Sequence, residues 1–344
     1  MKKFFAVIGN PPYQEESKKN GRQPPIYNLF MDEAFKVANC VELITPARFL
    51  FNAGQTPKAW NEKMLNDEHF KVLHYEPEAS KVFSNTDIKG GVAVTLRNQE
   101  KKFGKIGKFV NSDVMQIIVE KIAQLCDLYL DEIHFNRSSY RLTEKLYQEH
   151  PELIRRVKVS EKLSVGSNIF EKFPEIFSDE EPKEKAISFG LIFGLEGSKR
   201  CYKFVKKDYI SNHENLDKWK VFVAKSNGEG KFGETLSDLE IASPNSVGTQ
   251  TFISFGKFRT KAECVSLVKY LKTKFTRALL GVCKVTPDNA RKEVWKYVPL
   301  QDFTSKSDID WTKSVHEIDL QLYKKYGLSK EEKDFIETHV KEMV

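Results

Sequence analysis

Along the chain the spacing of apolar and polar positions changes several times. Phe4-Phe5-Ala6-Val7-Ile8 is an unbroken apolar run closed by Gly9, which predicts a strand buried on both faces. From there to about residue 100, strand and helix signals alternate, as expected for the later half of a doubly wound α/β sheet. A polar stretch rich in Lys and Gly, residues 98–108, closes that part. Val114, Ile117, Ile118, Ile122, Leu125 and Leu128 then recur at helical spacing and predict an amphipathic helix over residues 113–130, with a second over 139–150. From about 155 to 310 the pattern is strand-rich, with Gly and Asn turns. Residues 187–195, 202–205, 219–224 and 249–255 read as strands. Between them, residues 178–185 mix acids and lysines and predict an exposed, mobile loop. Residues 262–280 predict one helix with Val265, Leu267, Val268, Leu271, Phe275 and Leu279 as its buried stripe. The end predicts two short helices, 315–326 and 329–343, the second with Ser329 as N-cap and Glu332 three residues later.

A chain of 344 residues can bury a sizeable core and is expected to hold two domains. No apolar run is long enough to span a bilayer, and the signal-like opening from Lys2 is cut short by the prolines, so a cytoplasmic protein is expected. Cys40, Cys126, Cys201, Cys264 and Cys283 are scattered without a C-x-x-C pair, which fits reduced thiols and neither a disulfide framework nor a structural metal. His69 and His74 are spaced for neither a helix face nor a strand face. Charge is uneven. Residues 257–296 hold eleven Lys or Arg against three acids, a larger excess than the +7 of the whole chain. Interleaved with Phe258, Tyr270, Phe275 and Trp295, this reads as a phosphate-tracking belt, or as a solvated helix face.

The sharpest chemical signal is Asn10-Pro11-Pro12-Tyr13, placed directly after the first apolar run. A given string of four such residues arises by chance in about one chain per thousand of this length. The exocyclic amine of adenine is a poor nucleophile because its lone pair is delocalised into the ring. Two acceptors aimed at its N–H groups release that pair, and the Asn10 side-chain carbonyl and Pro11 backbone carbonyl are suited to the task. Consecutive prolines fix φ and add no competing donor. Tyr13 supplies a π-face for a base flipped out of a duplex. The plain structural alternative is a tight turn closed by a diproline.

The sequence here resembles the N6-adenine DNA methyltransferases of bacterial restriction-modification systems. Beyond residues 10–13, Ile26-Tyr27-Asn28-Leu29-Phe30-Met31-Asp32-Glu33-Ala34-Phe35 resembles the helix after their catalytic loop. Glu42-Leu43-Ile44-Thr45-Pro46-Ala47-Arg48-Phe49-Leu50 is similar to their next strand and loop. Val82-Phe83, with Ile88-Lys89-Gly90-Gly91-Val92-Ala93-Val94-Thr95-Leu96, resembles the loop and strand carrying a second aromatic. That resemblance makes Phe83 the partner of Tyr13 across the base, against a simpler role as a strand core residue. It also implies S-adenosylmethionine as methyl donor and double-stranded DNA as substrate. The family's acidic residue in the strand before the catalytic loop has no counterpart in Phe4-Phe5-Ala6.

The resemblance divides the chain into 1–110, the catalytic part of a Rossmann-like methyltransferase domain; 111–155, a helical connection; and 156–344, a target-recognition domain of α+β type with C-terminal helices. The glycine-rich turn that binds the donor in the family normally precedes the catalytic loop by many tens of residues. Gly228-Glu229-Gly230-Lys231-Phe232-Gly233 fits G-x-G-x-x-G after a strand-like segment. The next stretch, Glu234 to Glu240, is too short and too acidic for a crossover helix, so a turn between strands is expected. The cofactor-binding half is therefore expected from a protein partner or a missing domain. Expected DNA contacts are Lys225, Lys231, Lys257, Arg259, Lys284 and Arg291, with residues 225–228 and 246–251, including Gln250, as candidate readers of base edges. Two other readings stand beside this one: a non-catalytic DNA-specificity module or inactive remnant, and a methyltransferase for RNA or a protein glutamine.

Overall fold

The computed structural model describes residues 3–15, 23–84, 86, 88–107, 109–110, 112–183 and 187–343. Lys2, Lys108 and Lys185, at the edges of three of the segments singled out above, lie outside the described residues. The chain is mixed α/β and forms two compact units. One comprises Met1–Gln116, Glu229–Lys231 and Val282–Thr286; the other comprises Ile117–Gly228, Phe232–Gly281 and Pro287–Val344. Among the described residues, no helix is long and apolar enough to cross a membrane.

The first unit runs β1 (Phe4–Gly9), α1 (Tyr27–Val37), β2 (Ala38–Pro46), α2 (Lys58–Asn66), β3 (Phe70–Glu76) and β4 (Val92–Asn98). Its sheet has the order β1-β2-β4-β3. β1 and β2 are parallel, which needs the α1 crossover between them, and β4 is antiparallel to both β2 and β3. Val41, Leu43 and Thr45 of β2 are buried at period two. Val41 and Leu43 share one core with Met31 and Phe35 of α1, Trp60 and Met64 of α2, Phe49 and Phe70. Val285 packs in that same core although it lies far along the chain.

β1 departs from expectation. Its apolar run predicts burial on both faces, yet Phe4 is 55 % exposed, Phe5 83 % and Ile8 77 %. The physical reason is position: β1 is an edge strand, paired among the described residues only with β2. Leu29 and Phe30 of α1 are exposed as well.

A helix α3 (Asp113–Leu125) leads on in the chain. Its buried stripe is Met115, Ile118, Val119 and Ile122, while Ile117 and Leu125 are exposed, so the helix is shorter and rotated relative to the expected 113–130. The second unit continues with β5 (His134–Phe135), α4 (Lys145–Glu149), α5 (Ile169–Lys172), β6 (Phe189–Glu196), β7 (Lys199–Lys206), β8 (Trp219–Ala224), β9 (Glu240–Ala242), β10 (Ser246–Gly248), β11 (Phe252–Phe258), α6 (Lys261–Lys272), α7 (Lys274–Cys283), α8 (Val315–Lys325) and α9 (Lys330–His339). Its strands form two sheets, β10-β6-β7 and β5-β11-β8-β9. Fully buried Lys220 ties β8 to the β9–β10 connection, its Nζ donating to the carbonyls of Leu216, Ser243 and Ser246 at 3.2, 3.4 and 2.8 Å.

Two expected helices are corrected. The segment 139–150 is helical only in α4, because Arg141 and Leu142 instead bridge Ser164 and Ile210 in extended form, with Tyr140 and Leu142 buried at period two. The expected helix 262–280 breaks at Thr273, whose backbone is extended. Thr273 Oγ1 accepts from Thr276 N at 3.2 Å and donates to Tyr270 O at 2.7 Å, so it caps the new helix α7. The capping boxes at Thr260/Glu263, Ser314/Glu317 and Ser329/Glu332 are all formed, the last as expected.

Asp319 of α8 supplies further capping, accepting from Lys274 N at 3.0 Å and Phe275 N at 2.8 Å. Burial lifts its pKa from the ordinary 3.8 to about 6, opposed by those two amide bonds. A carboxyl with a raised folded pKa takes up a proton on folding. Stability from this group is therefore greatest below pH 4, falls as pH rises from about 4 to 6, and is level above that. Asp319→Asn is expected to remove this slope. Urea unfolding of both proteins at pH 4.5 and pH 7 checks it; an unchanged pH dependence would exclude Asp319 as its source.

Candidate nucleobase site

Four chain segments meet at one end of the first unit's sheet. Because β1 and β2 are parallel, with Gly9 beside Leu43, the residues after each emerge on the same side. β4 runs the other way, and its first residue Val92 lies beside both Pro46 and Glu76. The segment before β4 and the segment after β3 therefore emerge there too. Asn10-Pro11-Pro12-Tyr13, Pro46-Ala47-Arg48, residues 77–83 and Gly90-Gly91 thus share the carboxyl end of the parallel pair, the end at which open α/β sheets bind ligands.

The loop after β1 is pinned to the approach of α1. Tyr13 O accepts from Ile26 N at 3.2 Å, Glu15 N donates to Pro24 O at 3.1 Å, and Gln14 bridges Pro25. Asn10 is exposed and Tyr13 half-buried. The Tyr13 hydroxyl is itself buried and makes no hydrogen bond of good geometry. Its burial pushes the phenol up to about 12, with the neighbouring Asn10 side chain offsetting part of the rise. Tyr13 is thus neutral near pH 7 and offers a ring face and a hydroxyl, not a base.

Phe83 comes just after a 3₁₀ turn over Ala79–Lys81. Its N–H donates to Ala79 O at 2.8 Å, and its carbonyl accepts from Thr86 Oγ1 at 2.7 Å. It is half-buried in a turn, so the strand-core alternative does not hold. Its ring meets Tyr13 edge to face, with centroids 6.4 Å apart and planes at 69°. Beside Tyr13 opens a cleft of about 450 Å³ lined by Tyr13, Gln14, Gln23, Tyr27, Arg48 and Gln55 among others. Its rim loop is held by left-handed Asn52, whose Oδ1 accepts from Asn61 Nδ2 at 3.0 Å, while Asn61 Oδ1 accepts from Thr56 Oγ1 at 2.7 Å. Apart from Tyr13, the cleft residues carry no signal in sequence spacing; Tyr27, Pro46, Arg48 and Ile88 stand out only through stretches that show the resemblance.

The expected DNA contacts fare unevenly. Lys225 is half-buried at the end of β8 and Arg259 is exposed. Lys231 pairs with Glu229 at 2.8 Å and Lys257 with Glu214 at 2.7 Å. Arg291 lies 3.6 Å from Asp288. Lys284 is only 2 % exposed, which removes it from any surface that tracks phosphates. Within the belt over 257–296, Lys257, Arg259, Lys261 and Lys292 are exposed, while other members turn inward. Tyr270, Phe275 and Trp295 are fully buried, Arg277 is buried, and Lys274 is held by Glu337 at 2.7 Å. The cause is that α7 lies in the core through Phe275, Ala278 and Leu279, so its cations turn inward and find partners there. The expected polar tip at 246–251 also shrinks, since Ser246 and Thr249 are fully buried. Gln250 and Thr251 are half-buried, and Thr251 O accepts from the Lys225 N–H at 2.9 Å.

The glycine-rich segment 228–233 joins β8 to β9, which are antiparallel neighbours, without an intervening helix. A Cβ on Gly230 would lie 2.5 Å from Thr286 Cα, and one on Gly233 2.8 Å from Val340 Cα. These glycines are therefore used for close packing of backbone on backbone, in keeping with the turn expected there. They do not form a strand-to-helix cradle for a nucleotide-like cofactor such as S-adenosylmethionine.

No curated protein matches the chain. Among solved structures, the chain is similar to one described as "Characterization and crystal structure of the type IIG restriction endonuclease BpuSI", at 12 % identity and a TM-score of 0.32, covering 97 % of this chain and 52 % of that one. The chain thus spans about half the length of that protein. Residues 1–83, which contain the loop after β1, Arg48 and Phe83, match the family described as Eco57I restriction-modification methylase.

Proposed function

We propose that this chain is the base-handling portion of a DNA adenine N6-methyltransferase of restriction-modification type. The carrying observation is the placement of Phe83 against Tyr13, 6.4 Å between ring centroids, where Tyr13 directly follows Asn10-Pro11-Pro12 and lines an open cleft. A flipped adenine stacks on the Tyr13 face, and rotation of the Phe83 ring from its present edge-on pose covers the other side. Asn10 and Pro11 accept the amino N–H bonds, releasing the lone pair toward the methyl group. S-adenosylmethionine supplies that methyl, held by a complementary portion, a protein partner or a further domain.

The exposed edge of β1 supports this division. Phe4, Phe5 and Ile8 of β1, together with Leu29 and Phe30 of α1, are apolar side chains that a neighbouring strand and helix would cover. The second unit is the target-recognition part, and double-stranded DNA the substrate. Calorimetric titrations of the chain test the reading. A duplex is expected to bind with an affinity that falls steeply with salt, and S-adenosylmethionine is expected not to bind without the complementary portion. Failure to bind any duplex at low salt would end the DNA reading. Binding of S-adenosylmethionine alone would place the cradle within this chain.

A further inference from the structure

The cleft beside Tyr13 contains a cation that the proposed chemistry does not use. Arg48 stands on the turn after β2, half-buried, and lines the cleft together with Gln14, Gln23 and Gln55. No described carboxylate lines that cleft. The Arg48 stem runs through a slot made by two glycines. A Cβ on Gly90 would lie 2.8 Å from Arg48 Cγ, and one on Gly54 3.3 Å from Arg48 Cβ. Both glycines have positive φ, +87° and +89°, so the backbone on either side adopts a conformation that suits glycine and leaves room for the arginine. Arg48 Nε donates to the Lys89 carbonyl. That bond uses one edge of the guanidinium and fixes its plane, leaving further N–H donors of the fork for a ligand.

We propose that Arg48 binds the phosphate of the nucleotide whose base lies between Tyr13 and Phe83. The inference rests on the base-handling reading above and extends it to the backbone of the flipped nucleotide. A base leaves the duplex by rotating about its sugar-phosphate links, so a phosphate must follow it to the mouth of whatever pocket receives it. A fork held in place, in a cleft lined by neutral amides, matches the shape and charge of that group. The glutamines add neutral donors without bringing a competing negative charge. Arg48 is a binding residue here and takes no part in the transfer itself.

The test uses the full chain and small probes. 2′-Deoxyadenosine, its 5′- and 3′-monophosphates, and inorganic phosphate are titrated separately, followed by NMR shifts that include the arginine Nε–H signals. One of the monophosphates is expected to bind about tenfold more tightly than the nucleoside, as one charged hydrogen-bonded contact supplies. Arg48→Gln is expected to erase that difference, and Arg48→Lys to restore part of it. If the nucleoside binds but neither phosphate adds affinity, the Arg48 assignment falls and the base site stands. If the nucleoside does not bind at all, the base-handling reading fails and takes this one with it. Inorganic phosphate binding as tightly as the nucleotides would also overturn it, because the site would then be indifferent to the base.

Discussion

On the proposed function, Asn10→Ala is expected to lower methyl transfer by about 10²–10³-fold in the enzyme reconstituted with a cofactor-binding portion, the loss typical of removing one preorganised polar contact to a reacting group. Duplex affinity is expected to stay within a few fold. The separation comes from position. Asn10 is exposed at the end of β1, outside the first unit's hydrophobic core, so its loss leaves the packing intact. Pro11 keeps its carbonyl and the diproline keeps the loop's shape, and one acceptor of two therefore remains. Transfer of a labelled methyl group to duplex DNA, beside salt-dependent duplex binding by the same protein, checks both halves. Full activity in the variant would remove Asn10 from the chemistry.

The largest effect on folding is expected from Gly91→Ala. Gly91 has φ +72°, and a Cβ there would run into the Glu76 carbonyl and lie 2.7 Å from Pro77 Cα. Both neighbours are backbone, so no side chain can turn away to make room. Gly91 O also accepts from Ala47 N at 3.0 Å, so a shift of Gly91 disturbs the turn that carries Arg48. A loss of about 3 kcal/mol or more is expected, combining left-handed strain with overpacking. Gly104→Ala is the control, since Gly104 has φ +88° but nothing within 4 Å of the added Cβ; it is expected to cost about 1 kcal/mol from strain alone. Hydrogen exchange of the β4 amides reads both. Equal losses in the two variants would mean that the close approach at Gly91 contributes nothing.

The two halves of the chain differ in how far they can be read from residues alone. In the first, the apolar run and the diproline mark strand and rigid loop, because each depends on local backbone preference. The pairing of Phe83 with Tyr13 was open only through resemblance, since about seventy residues of chain separate them and no periodicity links a turn to a loop. Arg48 gave no local sign at all. Its place between Gly54 and Gly90 arises from two turns brought together by the sheet.

In the second half, charge alone did not show which cations are buried, and packing decided that. Eleven basic residues within 257–296 look like a surface, yet Lys284 and Arg277 are buried and Lys269 donates to the carbonyls of Trp311 and Lys313, each at 2.8 Å. A helix of alternating cations and apolar residues can be read with either face outward. The break at Thr273 is capped by Thr273 itself and by a residue from another helix, Asp319, which takes up two further N–H groups of α7.

What the sequence determined by itself is therefore local. It includes the strand and stiff loop of residues 4–13, the capping box at Ser329 and Glu332, and β8 with the glycine-rich turn after it. Each is written in a few adjacent residues through dihedral limits, side-chain caps and missing N–H groups. Only the tertiary structure decided which apolar strand lies at an edge, which cations are buried, and which residues share a cleft. Those outcomes depend on contacts between segments distant in the chain. Burial, unlike a backbone dihedral, is a property of what a residue is packed against and not of its neighbours in sequence.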